Sequence, residues 1–361
     1  MTVYILYFIF LAILAIQYEF IPFENNVLLC IVVIALVMLA GLRGIDVSKD
    51  YYSYRYISDN IYDLTSTNDL SYFLAFEPGF ITIILLIRSI VASNYVVVLM
   101  LFYALTSISI KVYSIKRLSI NPYLTILFYF SYYFLIQEMA QIRIGLAAAI
   151  FLMALVSFLK GKRWVYVGLI IFATLFHYSA IFYLLLLFFN STEFNRNRYT
   201  VVLVLSIVLA FVKLPLLNIL GNFDFSEMPD KLNNYVELSE NGSLFINFFN
   251  SLNVCNILCC IYLMYFTDKE KLLKDNKLIL FLKCNILSIF LLGFLTGVPA
   301  VALRFSQLFG IVQIFLFTYL VKCLPAKKYN VLILVALAGF FFYIIGIYGN
   351  LLNPYKIVNF K

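Results

Sequence analysis

Long apolar runs separated by short polar breaks dominate the chain. They cover Thr2–Ile16, Val27–Leu42, Phe73–Ala92, Tyr95–Ile110, Pro122–Ile136, Ile142–Leu159, Trp164–Asn190, Tyr199–Leu220, Phe249–Phe266, Leu278–Val298, Ala302–Val321 and Val331–Tyr348. A helix needs about 20 apolar residues to cross the hydrocarbon core, so the shorter runs borrow polar flanks. No apolar–polar alternation of barrel type is sustained. The pattern predicts an all-α, polytopic integral membrane helical bundle of about twelve membrane segments. Residues 1–361 read as a single transmembrane domain, interrupted by polar loops at 43–71 and 221–248. Met1–Ile16 lacks a basic n-region and an obvious cleavage site, so it reads as a first helix rather than a removed signal peptide.

Composition agrees. The 361 residues are 64% hydrophobic and 12% charged, with mean hydropathy +0.98. A soluble domain carries roughly a quarter charged residues. The net charge of +8 does not point to nucleic acid, because the basic residues sit in short loops between apolar runs. These are Lys111/Lys116/Arg117, Lys160/Lys162/Arg163, Arg196/Arg198, Lys269/Lys271/Lys274/Lys277 and Lys322/Lys327/Lys328. The positive-inside rule places them in the cytoplasm and the acidic loop 221–248 (Asp224, Glu227, Asp230, Glu237, Glu240) outside. The six cysteines lie in or beside apolar runs without CxxC spacing and read as small apolar residues.

Two segments resist this scheme. Trp164–Asn190 has basic residues on both flanks, so one straight span cannot satisfy both. At about 27 residues it is too short for two full spans. It predicts two half-helices broken near Phe176-His177-Tyr178-Ser179, tolerated at depth only where the backbone is buried or lines a wet cavity. The loop 43–71 falls inside by helix counting. It falls outside if Phe73–Ala92 is re-entrant, kinked at Glu77-Pro78-Gly79, and the charge rule leaves both options open.

Charged groups within apolar segments are costly and commonly functional. Glu77, Arg88, Glu138, Arg143, His177, Lys213 and Arg304 qualify. Arg88 and Lys213 can snorkel from span ends. Arg143 and Arg304 each open an apolar run on the expected outer side, without basic neighbours. Two guanidinium forks suit a diphosphate, although Arg143 could instead pair with Glu138. His177 is the single histidine and lies at the inferred break. As neutral imidazole it could take a proton from a sugar hydroxyl, or it could be structural. The loop around Arg43, Asp46 and Asp50-Tyr51-Tyr52-Ser53-Tyr54-Arg55-Tyr56 mixes carboxylate, guanidinium and tyrosine as a carbohydrate cleft would, or forms an interfacial aromatic belt. No P-loop, GxSxG, HExxH or zinc spacing occurs, so neither metal nor soluble-enzyme cofactor is indicated.

Gly41–Asp46 followed by Tyr52, Gln141-Ile142-Arg143-Ile144-Gly145 followed by Phe176-His177-Tyr178-Ser179, Arg304-Phe305, and Asn353-Pro354-Tyr355 together resemble the EpsG family, which overlaps with Wzy-type O-antigen polymerases. The resemblance covers roughly residues 25–360. It implies a GT-C-like bundle with one or two broken or re-entrant helices in the bacterial inner membrane. The implied activity is a glycosyltransferase that moves a glycan from undecaprenyl diphosphate onto a lipid-linked repeat unit at the periplasmic face. Such an enzyme needs no cofactor and works beside a flippase and a chain-length regulator. In this picture Arg143 and Arg304 stabilise the diphosphate and His177 is the base. Arg43, Asp46, Tyr52, Glu77, Gln141 and Tyr178 contact substrate, and Glu138 positions Arg143. The periplasmic reaction favours an outside place for loop 43–71. A lipid-linked oligosaccharide flippase or a membrane O-acetyltransferase would be the rival readings.

Overall fold

A computed structural model describes residues 1–23, 25–62, 76–91, 93–214 and 247–358. The acidic loop, except its last two positions, and residues 63–71 of the first polar loop lie outside the described residues. The chain divides into two units, residues 1–184 with 320–361, and residues 185–319.

The first unit contains α1 (Thr2–Phe20), α2 (Asn26–Gly41), α3 (Lys49–Asp59), α4 (Pro78–Ile90), α5 (Tyr95–Leu118), α6 (Pro122–Tyr129), α7 (Ile142–Leu159) and α8 (Arg163–Thr174). Local chemistry sets several starts. Asn25 accepts from the Leu28 amide, and Asn121 accepts from the Leu124 amide ahead of Pro122. Both satisfy amides that a helix leaves orphaned, and proline costs nothing in a first turn. α6 runs on as a π-helix over Phe130–Glu138, a geometry that recurs at functional sites. α5 is the hub, packed against both α2 and α7.

α5 extends beyond the apolar run read from the sequence. Its helix continues through Val112–Leu118 and carries Lys111 inside the bundle rather than in a cytoplasmic loop. α2 and α5 are antiparallel: Lys116 at the end of α5 bonds Asn26 at the start of α2, while Arg43 just beyond α2 reaches Met100 near the start of α5. The polar stretch after α2 is not an open loop. It forms a short 3₁₀ turn, Ile45–Val47, and then α3.

The Arg88 guanidinium sits between the rings of Tyr62 and Tyr95, 4.6 and 4.8 Å from their centroids. It also donates to the carbonyls of Ser58 and Asp59 at the end of α3. Residues 62 and 95 flank the 73–92 run on either side, yet they meet at one place. α3 therefore lies at the Tyr95 end of α5, opposite Lys116.

The expected break in Trp164–Asn190 is present. α8 stops at Thr174, and a 3₁₀ helix runs over Tyr178–Phe188. Gly79 donates its amide to the Leu175 carbonyl at 2.8 Å, and a Cβ there would stand 2.7 Å from that oxygen. Only glycine lets the start of α4 press against the broken end of α8.

The second unit contains α9 (Arg196–Val212), α10 (Ser251–Phe266), α11 (Lys269–Lys274), α12 (Asn276–Phe294) and α13 (Pro299–Gly310). α12 is its centre, packed on α9 and α13. Lys283, within the apolar run Leu278–Val298, is buried and donates to the Asn190 carbonyl. α14 (Gln313–Cys323) follows α13 with a 48° bend and leads back into the first unit. There α15 (Asn330–Phe342) ends in a second π-helix, Tyr343–Tyr348.

Among the described residues, five helices are long and apolar enough to cross a membrane, or six with the bent pair as one span, and shorter apolar helices accompany them. The chain is a helical, multi-pass membrane protein.

Candidate functional site

The start of α4, the break after α8 and the start of α7 converge. The Glu77 carboxylate receives the Arg143 guanidinium on Oε2, and its Oε1 lies 3.2 Å from Nδ1 of His177. The three side chains are 7, 23 and 11% exposed respectively, so the carboxylate and guanidinium charges are largely shielded from water and depend on each other. Nε2 of His177 is buried without a hydrogen-bond partner. When Nδ1 carries the proton toward Glu77, Nε2 presents a lone pair, so the carboxylate sets the tautomer. Tyr178 next to the break donates to the Phe76 carbonyl at 3.0 Å.

The wall of this centre is aromatic. Arg143 stands over the Phe80 ring at 5.0 Å. Tyr103 makes edge contacts with Phe80 and Phe176. Tyr103 is eight residues into α5, so the centre lies roughly 12 Å below the Tyr95 end at a rise of about 1.5 Å per residue. α3 lies beside this centre. Its Tyr54 hydrogen-bonds Arg143, and burial pushes the Asp50 carboxyl above its ordinary range against the pull of Arg143 and Arg43.

Glu138 does not hold Arg143. It accepts from Lys111, from Ser107 at 3.0 Å and from Tyr129 at 2.9 Å, while Lys111 also donates to Gln137 at 2.7 Å. The π-helix turns Gln137 and Glu138 toward α5, and the buried ammonium takes both. Lys111 is the residue that sequence reasoning missed, because its basic neighbours Lys116 and Arg117 disguised it as a loop residue. The apolar residues Val112 and Ile115 between them were the available signal.

Arg43 is also not on an exposed loop. It is fully buried, donating to the Ala40 carbonyl and Met100, with its guanidinium 5.7 Å from the Tyr51 ring. Among the described residues no carboxylate pairs with it, and its Nε has no partner. Gln141 precedes α7 with its Oε1 buried and unpartnered. Asp46 accepts from the Tyr52 hydroxyl at 2.6 Å, a bond that raises the phenol above its ordinary range. Arg304 is exposed on α13 in the second unit.

Asp46 is further tied to the far end of the chain. Asn353 donates to its carbonyl at 2.7 Å, Gly44 donates to the Lys356 carbonyl, and Val358 to that of Leu42. The motif segments at Gly41–Asp46 and Asn353–Tyr355 are thus one structural piece. The EpsG family model matches residues 26–357, which runs from the start of α2 to this closing segment. The chain belongs to the EpsG family. EpsG is a Wzy-type, polymerase-like family of membrane proteins. No curated protein and no solved structure matches this EpsG member. The EpsG match takes in α2–α5, α7 and the broken segment after α8, so it spans every residue of the Glu77–Arg143–His177 centre.

Proposed function

We propose that this EpsG protein is a bacterial surface-polysaccharide polymerase. It is a glycosyltransferase of the inner membrane that moves a growing glycan from undecaprenyl diphosphate onto a lipid-linked repeat unit. The observation that carries this reading is the Glu77 carboxylate shared between Arg143 and His177, which leaves Nε2 of a shielded imidazole free beside a cation.

The roles follow from the chemistry. His177 Nε2 takes the proton from the acceptor hydroxyl. The acceptor oxygen bonds to the anomeric carbon as the bond from that carbon to the diphosphate breaks, and the diphosphate leaves with the electron pair. Arg143 offsets the charge that builds on the leaving group. Glu77 orients the base and the cation together. Asp46, Tyr52, Arg43, Gln141 and Tyr178 contact or frame the sugars. With Lys116 cytoplasmic by the positive-inside rule, the Tyr95 end, and α3 with it, faces the periplasm. A flippase and a chain-length regulator of the same pathway are the expected partners.

The decisive experiment is a gel of lipid-linked glycan from a deletion strain. Single-repeat products without polymer support polymerisation. Absence of any product on the outer side would instead mark a flippase, and full-length polymer an acetyltransferase.

A further inference from the structure

The α3 helix has two working faces. Asp50 and Tyr54 turn toward Arg143. Tyr51, Arg55 and Asp59, at i, i+4 and i+8, share the adjoining face and line a cavity of about 600 Å³, a size within the roughly 300–1,000 Å³ of small-molecule sites. Its remaining walls come from the 44–46 turn, from Asn94–Val97 at the start of α5, and from Lys356–Val358. The Tyr95 hydroxyl donates to Asp59, Arg55 stands 3.6 Å from Asp59, and Lys356 stands 3.9 Å from Asp46.

We infer that this cavity is a sugar-recognition subsite, distinct from the Glu77–Arg143–His177 centre, that reads a sugar of the lipid-linked glycan away from the reacting bond. The inference rests on the polymerase reading for the identity of the glycan. The cavity's charged groups are balanced, two carboxylates against two cations, so it has no excess charge to attract a diphosphate. An acyl chain would strip water from all four without replacing it. A sugar offers hydroxyls that both donate and accept, and these can insert into the carboxylate–cation pairs. Its ring faces are apolar enough to lie on the Tyr95 ring beside the cavity. None of Glu77, Arg143 and His177 lines the cavity. A group held in the cavity is therefore not the one being bonded, and the subsite governs which repeat unit is accepted.

The test uses the full chain in lipid nanodiscs and saturation-transfer NMR. The probe is the lipid-free oligosaccharide repeat released by mild acid from the host's own surface polysaccharide. Saturation should pass to sugar ring protons with the wild-type protein and equally with His177→Gln. Affinity should fall about tenfold with Tyr95→Ala and again with Lys356→Ala, each removing a stacking or hydrogen-bonding group. Tyr95→Phe, which keeps the ring, covers the case in which the alanine variant does not fold, and it should weaken binding by a smaller factor. Absence of transfer to the wild-type protein, or transfer undiminished in a folded Tyr95→Phe/Lys356→Ala protein, overturns the inference. The two readings fail separately. Cavity-dependent binding together with intact polymer in the deletion strain keeps the subsite and removes the polymerase. Lost polymer without cavity-dependent binding does the reverse.

Discussion

Nδ1 of His177 and Oε1 of Glu77 stand 3.2 Å apart although 100 residues separate them in the chain. The contact requires the break after α8, because a continuous helix would carry residue 177 past the start of α4. It also requires Gly79, whose missing Cβ lets the two segments touch. The same carboxylate holds Arg143, so base and cation are fixed by one anchor.

His177→Gln keeps a hydrogen-bonding side chain but cannot accept a proton near neutral pH. We predict about a 10²–10⁴-fold lower polymerisation rate, the usual cost of losing a general base. Single repeats should accumulate on a lipid-linked glycan gel at normal protein level. Near-normal polymer would leave His177 a structural role only.

Arg143→Lys keeps the charge opposite Glu77 but loses the fork. Polymer should fall sharply while membrane abundance stays normal. Glu77→Gln removes the shared anchor and leaves Arg143 without its buried carboxylate, a loss of about 3–5 kcal/mol for such pairs. Quantitative immunoblotting should show less protein as well as less polymer. If the lysine variant polymerises normally, bidentate binding of a diphosphate is wrong.

The Lys111–Glu138 pair should behave as structure rather than chemistry. Lys111→Met alone strands a buried carboxylate and should lower abundance, again by about 3–5 kcal/mol of stability. Lys111→Met combined with Glu138→Leu should recover much of it, since an apolar pair avoids the stranded charge. Equal abundance in the single and double variants, read by thermal unfolding in detergent, would contradict the pairing.

Gly79→Ala places a methyl group against the Leu175 carbonyl. Overpacking of this kind costs about 1–3 kcal/mol, and the displacement falls directly on the Glu77–His177 contact. Polymer should drop more than protein level does. Gly168→Ala, where a Cβ meets open space, is the control and should be silent.

Much of this was legible in the sequence. Conflicting basic flanks located the break at His177. An arginine opening a small-residue helix marked Arg143, and Asp46 with Tyr52 marked the first polar stretch. What failed were pairings. Glu138 and Arg143 are close in sequence, but the π-helix turns Glu138 toward α5, and hydropathy carries no trace of that change of pitch. Lys111 and Arg43 read as loop residues because each borders a polar stretch, whereas helix continuation and the fold of the 42–47 turn bury them. The side of α3 was undecided because charge counting cannot distinguish a crossing segment from one that returns. In the structure the Arg88 guanidinium between Tyr62 and Tyr95 brings the end of α3 to the start of α5.

Topology can be measured. Alkaline phosphatase fused after Asp59 should be active, and fused after Lys160 or Lys274 inactive. Activity at Lys160 together with silence at Asp59 would invert the bundle and remove α3 from the periplasm.

The pairing of Leu42–Val47 with Asn353–Val358 has a consequence for synthesis. Domains form as the chain emerges, at about 5–20 residues per second. The turn that carries Asp46 leaves the ribosome 307 residues ahead of its partner Asn353. During that interval the turn's backbone amides and carbonyls must be met by water or lipid headgroups. A nascent chain arrested shortly before residue 353 would therefore hold the Glu77–Arg143–His177 residues but an unpaired 42–47 turn. Closure of the 42–47 turn therefore waits for residues 353–358.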